Sequence, residues 1–148
     1  MKNLKLKVVA LVLFVSAGFV SCDNDDASSV ETKTAFVSVV TGATTATVNQ
    51  EITLEVTYAV ENNCGVFNKF IETTAGNTKT IEVQTKYEGS NCGTTAATKK
   101  TSYKFKATAA GTYILKFKKT ATEFVTQTIV VSSGVCDSNN SCEFGFII

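Results

Sequence analysis

Beyond residue 33 the chain alternates apolar and polar positions with a period of two. Ile52, Leu54, Val56, Tyr58 and Val60 fall on one side of a run, and Thr53, Glu55, Thr57 and Ala59 on the other. Ile81, Val83, Thr85 and Tyr87 alternate in the same way with Glu82, Gln84, Lys86 and Glu88. Tyr103, Phe105 and Ala107 alternate with Ser102, Lys104 and Lys106, and Tyr113, Leu115 and Phe117 with Ile114, Lys116 and Lys118. Successive side chains of a strand point to opposite faces, so each run reads as a strand with one buried side. A half-buried antiparallel sheet has this division. Thr is frequent throughout and suits pleated, half-solvated positions. No helical period is sustained after Cys22.

Turn residues separate the runs at Thr41-Gly42-Ala43, Ala75-Gly76-Asn77, Glu88-Gly89-Ser90 and Ala109-Ala110-Gly111. The pattern predicts strands over 34–41, 48–60, 65–74, 78–88, 100–108, 112–119 and 124–132. In 65–74, Val66, Phe67, Phe70 and Ile71 fit no single face, which predicts a β-bulge there. About seven strands with frequent turns predict an all-β, antiparallel β-sandwich over residues 34–132. With no Pro in the chain, Lys and Glu must guard the sheet edges.

The stretch Ala110-Gly111-Thr112-Tyr113-Ile114-Leu115-Lys116-Phe117 resembles the turn and sixth strand of immunoglobulin-like domains. That resemblance implies that the Tyr113 hydroxyl bonds back to the loop before it. Val48-Asn49-Gln50-Glu51-Ile52-Thr53-Leu54 resembles the second strand of bacterial immunoglobulin-like domains. The usual Cys pair on the second and sixth strands is absent, as is a core Trp. The resemblance bears on fold and not on function, because sandwiches host many roles.

The first 21 residues read as an address. Lys2, Lys5 and Lys7 precede an apolar run from Val8 to Val20, and small Ser21 follows. This is the layout of a secretory signal. The run is shorter than the roughly 20 residues of a membrane-spanning helix. Phe19-Val20-Ser21-Cys22 resembles a bacterial lipobox, with Phe19 where Leu is commonest. The resemblance implies cleavage before Cys22, diacylglycerol on its sulfur, and an amide-linked acyl chain such as palmitate. More than one acyl chain gives a firm membrane anchor. Asp23, Asp25 and Asp26 then form an acidic run that resembles the surface-export signal of Bacteroidota lipoproteins. Asp23 alone also resembles the inner-membrane retention signal of enterobacterial lipoproteins. The clustered acids favour an outer-membrane, surface-exposed protein, with a periplasm-facing one as the alternative. The body is similar to small lipoproteins of Flavobacteria. Residues 22–33 then read as the lipidated Cys and a flexible tether.

Four Cys remain beside the lipidated one: Cys64, Cys92, Cys136 and Cys142. An even number in an exported chain predicts disulfides. Strands numbered alternately up and down put Cys64 and Cys92 at the open end of the third–fourth strand hairpin. Cys136 and Cys142 fall at the opposite end, so the predicted pairs are Cys64–Cys92 and Cys136–Cys142. Their spacings are poor for zinc, and no C-x-x-C redox motif occurs. Residues 133–148 read as a disulfide-closed loop and an apolar tail.

Composition removes several chemistries. There is no His, hence no Ser–His or Cys–His pair and no imidazole metal ligand. All 14 cations are Lys, so no arginine clamp exists. Without residues 1–21, eleven Lys face thirteen acids, a net charge of −2, which does not fit a nucleic-acid binder. Asp137-Ser138-Asn139-Asn140-Ser141 alternates oxygen side chains, but Cys142 and Ile148 stand where a calcium loop needs Gly and Glu. Glu61, Glu72, Glu82, Glu88 and Glu123 are the main carboxylates, and nothing in their spacing selects an acid–base pair. Most are expected on outward faces. The expected role is therefore non-enzymatic: a binding or structural module with no cofactor and no metal. It is anchored by the lipid on Cys22 and binds an unknown protein or glycan. A small carboxylate-dependent hydrolase, a carbohydrate-active lipoprotein and an envelope-complex subunit are the alternatives. The expected contact elements are the loops around Cys64–Cys92 and the tail with Phe144, Phe146, Ile147 and Ile148, an apolar strand, flap or docking segment.

Overall fold

The computed structural model describes residues 30–89, 91–136 and 142–143, with backbone alone for 135–136 and 142–143. Among these residues it is all-β, with no helix. The strands are β1 (Glu31–Ala35), β2 (Val37–Gly42), β3 (Thr45–Thr47), β4 (Glu51–Val60), β5 (Gly65–Ala75) and β6 (Thr78–Tyr87). They continue with β7 (Ala97–Lys106), β8 (Gly111–Lys118), β9 (Phe124–Ser132), β10 (Val135–Cys136) and β11 (Cys142–Glu143).

The alternation determines which faces are buried. Ile52, Leu54, Val56, Tyr58 and Val60 of β4 are buried, as are Ile81, Val83, Thr85 and Tyr87 of β6. Tyr103 and Phe105 of β7, Leu115 and Phe117 of β8 and Ile129 and Val131 of β9 complete the centre of the core. Burying one such large apolar side chain stabilises by about 1.5–3 kcal/mol. Thr85, the one buried polar residue among those described, donates its hydroxyl to Lys33 O at 3.1 Å. The core lies between two sheets. The smaller is antiparallel, in the order β2-β4-β7. The larger runs β5-β6-β8-β9-β3. The hairpin β5–β6 pairs from Gly65↔Tyr87 to Ala75↔Thr78, filling one edge of β6. The other edge is shared. Thr78–Ile81 pair parallel with β8, and Val83–Tyr87 pair antiparallel with β1.

The seven expected strands all fall on strand structure, but one of them divides and another starts later than expected. The run 34–41 changes sheet: Ala35 pairs with Val83 in the larger sheet, Val37 with Tyr58 in the smaller, and exposed Phe36 makes the step. The run 48–60 is strand only from Glu51, because Asn49, with a φ of 67°, turns the chain between β4 and the unexpected short β3. Val48–Gln50 is thus a connection and not strand. Glu31–Lys33, read as tether, belong to β1: Lys33 lies 5.4 Å from the Tyr87 ring centroid and pairs with Glu61 at 2.6 Å. The antiparallel expectation is corrected at two pairs, β6–β8 and β3–β9, both parallel. Between β6 and β8 the chain crosses to the smaller sheet as β7, so it returns in its original direction. In an immunoglobulin-like sandwich the third strand lies beside the sixth. Here β6, the fourth expected strand, takes that place and β5 is outermost. The expected bulge is present, a register shift between Phe67 and Lys69.

Candidate functional site

The topology gives the sandwich two unlike ends. At one, β4 ends and β5 begins, β6 ends and β7 begins, and β8 ends and β9 begins. Cys64 and Cys92 are joined here by a disulfide, Cα–Cα 5.0 Å, as expected. Their loops are further held by Asn63 N–H donating to Cys92 O (3.3 Å) and Cys64 N–H to Asn62 Oδ1 (3.0 Å). Gly65 follows with no room to spare: a Cβ there would stand 2.7 Å from the Tyr87 ring and 2.8 Å from Val60. β1 also starts at this end, because Glu31 pairs with Tyr87. At the other end lie the connections 43–44, 48–50, 76–77, 107–110 and 133–134, which contain no charged residue. Tyr113 Oη donates to Ala109 O there at 2.9 Å, the bond that the resemblance implied.

The Cys64–Cys92 loops lie at the end where β1 begins, and β9 ends at the opposite end. The β10–β11 register sets Cys136 directly opposite Cys142. Their predicted disulfide lies outside the described residues, as do Cys22, Asp23, Asp25, Asp26, Phe144, Phe146, Ile147 and Ile148.

The carboxylates do not assemble into an acid–base pair. All eight glutamates with described side chains are ion-paired to lysine. Glu72–Lys79 (2.9 Å), Glu82–Lys118 (2.8 Å), Glu88–Lys86 (2.8 Å) and Glu123–Lys119 (3.5 Å) include four of the five candidates. The fifth, Glu61, meets Glu31 at Lys33, with both carboxylates largely exposed. The hydrogen bond from Lys33 to Glu61 holds the ammonium pKa above its ordinary value. Lys104 is raised in the same way by its bond to Glu51. Glu72 departs from the outward expectation. It lies opposite Ile81, on the inner side of β5 at the sheet edge. Inward charges of this kind discourage strand addition. No group of three or more His, Cys, Asp or Glu gathers as a metal would need among the described residues.

One residue escaped the sequence reading. Tyr103 lies on the core face as its alternation predicts, but its hydroxyl is buried with no hydrogen-bond partner. Phe70 and Phe117 pack against its ring edge-on, at 5.0 and 5.3 Å between centroids. Burial, and then the nearby Glu72 charge, push its pKa up. Polarity alternation treats Tyr as apolar and carries no signal for its oxygen.

The lysines also sort by face. The outer side of the larger sheet carries Lys69, Lys86, Lys116 and Lys118, against Glu82 and Glu88, which follows β6 and pairs with Lys86. Elsewhere among the described side chains seven lysines face six glutamates. Most of the net positive charge of the described side chains thus lies on one sheet face. Phe124, 39% exposed, stands opposite Lys118 on that face, and Thr73, Thr80 and Thr126 share it. Linear spacing hides this grouping because the four lysines come from three strands.

No family model, no curated protein and no solved structure matches the chain.

Proposed function

We propose that the protein is a lipid-anchored envelope protein whose sandwich serves as a non-enzymatic binding or structural module at the outer membrane, exposed on the cell surface. The observation that carries the non-enzymatic part is the complete pairing of the described glutamates with lysine. A glycosidase acid needs a carboxyl kept protonated by burial or by a like charge, and an ammonium neighbour works against that. The anchor reading is supported by the lipobox-like Phe19-Val20-Ser21-Cys22 and by the acidic run after it. Eight residues, 23–30, then separate Cys22 from β1. As a flexible coil they span roughly 16 Å. On this reading the disulfide end faces the bilayer and the opposite end faces away. The sandwich is further read as a rearranged immunoglobulin-like one. The β4–β7 and β8–β9 pairs and the Tyr113 bond support this, with β5 and β6 exchanged.

The test combines acyl labelling with protease shaving of intact cells. An alkyne-bearing palmitate should label the wild-type chain and not Cys22→Ser. Protease should remove the domain from intact wild-type cells but spare it when Asp23, Asp25 and Asp26 are replaced by Ala. Labelling that survives Cys22→Ser overturns the anchor. Protection of the wild type overturns surface exposure and favours a periplasm-facing subunit of an envelope complex.

A further inference from the structure

We infer that the outer face of the larger sheet binds an anionic polysaccharide. The inference rests on the non-enzymatic binding reading and names the ligand class and the face. Charge is the first argument. This face holds four lysines against Glu82 and Glu88, while the other described side chains are nearly balanced, seven lysines against six glutamates. Lys86 and Lys118 are held by Glu88 and Glu82, but Lys69 and Lys116 make no ion pair among the described residues. A surface of one sign concentrates ligands of the other.

The shape and chemistry of the face choose among anions. It is a sheet face, not a groove, so a polymer can lie along it and meet several cations at once. Lys donates as a point charge and suits a carboxylate or sulfate without demanding a two-pronged fit. Its threonines offer hydroxyls to the hydroxyls of a sugar, and Phe124 offers an exposed ring beside Lys118. A bilayer fits less well. The N-terminal segment enters at the disulfide end of the sandwich, and this face is a flank of it.

The test uses the chain from residue 22 with Cys22→Ser, titrated with polygalacturonate, heparin and neutral dextran at low salt. Either or both anionic polymers should bind, dextran should not, and added salt should weaken binding. The pair Lys69→Glu with Lys116→Glu should reduce affinity at least about tenfold, because it turns the face from positive to negative. Phe124→Ala should weaken binding by about threefold, as a lost edge contact would. Lys106→Glu, on the smaller sheet, should leave affinity unchanged and serves as the control for a charge reversal off this face. Circular dichroism of each variant checks that it folds. Absence of binding to both polymers overturns the inference. An equal loss with Lys106→Glu also overturns it, because the attraction is then not confined to this face. Binding to vesicles containing anionic phospholipid but to neither polymer would make the face a lipid contact instead. None of these outcomes affects the labelling and shaving results, so the two readings fail separately.

Discussion

Two tyrosine hydroxyls show how much one polar atom depends on its partner. Tyr113 Oη donates to Ala109 O, and Tyr103 Oη is buried with no partner. A made hydrogen bond contributes about 0.5–1.5 kcal/mol, whereas a buried unpaired group costs about 1–3 kcal/mol. Tyr113→Phe should therefore lower stability by about 1 kcal/mol in urea unfolding. Tyr103→Phe should be neutral or stabilising by up to about 1 kcal/mol, since it removes the unsatisfied oxygen and keeps the ring. The same residue gives a pH prediction. Its folded-state pKa is raised above the ordinary 10.0, chiefly by burial. Its contribution is complete below pH 10 and is lost as pH rises further, where the unfolded chain ionises first. Lys33 and Lys104, with pKa values raised by Glu61 and Glu51, lose their contribution in the alkaline range above 10.5. Tyr103→Phe should thus show a shallower loss of stability above pH 10 than the wild type. Gly65 is a steric case. The 2.7 Å approach to Tyr87 and 2.8 Å to Val60 leave a methyl group nowhere to go. Gly65→Ala should cost about 1–3 kcal/mol, as overpacking does.

At the scale of elements, side-chain alternation was legible in the sequence and strand pairing was not. Ile52 to Val60 and Ile81 to Tyr87 announce their buried faces, and the irregular Val66 to Ile71 announces the bulge. Periodicity says which way a side chain points, and nothing about which strand lies alongside. Ala35 and Val37 keep the same period across a change of sheet, so the break at Phe36 was silent. The parallel β6–β8 pair depends on a crossover through β7 that no local pattern encodes. Edge protection was half legible. β7 carries Lys99, Lys100, Lys104 and Lys106 as expected, but β5 relies on its bulge and on inward Glu72. The Cys64–Cys92 pair was legible because hairpin alternation fixes which ends meet. Its loop of about 29 residues should stabilise the fold by about 3–4 kcal/mol in the chain-entropy description. Cys64→Ser with Cys92→Ser should lose that amount in denaturant unfolding under oxidising conditions. Non-reducing peptide mapping should further find Cys136 joined to Cys142, which face each other in the β10–β11 register.

At the scale of the whole molecule, the separation of the ends decides what an anchor would present. β4 has ten residues and runs from the opposite end to the disulfide end. At about 3.4 Å per residue the ends stand roughly 34 Å apart. A lipid on Cys22, as proposed, would be joined to β1 at the disulfide end, so orientation would follow from chain connectivity and need no specific contact with lipid. Ala121, between β8 and β9, lies at the disulfide end, and Ala110, before β8, lies at the other. Both are exposed alanines, so Ala121→Cys and Ala110→Cys can carry a fluorophore without disturbing the core. The acylated protein, bound to vesicles that contain a headgroup quencher, should then be quenched more strongly at Ala121→Cys than at Ala110→Cys. Inserting flexible residues between Asp26 and Glu31 should reduce the difference, because a longer coil lets the sandwich tumble. Equal quenching at both sites before any insertion would mean that the sandwich lies on its side. The end opposite the disulfide would then lose its outward position, and a partner would have to approach from a flank.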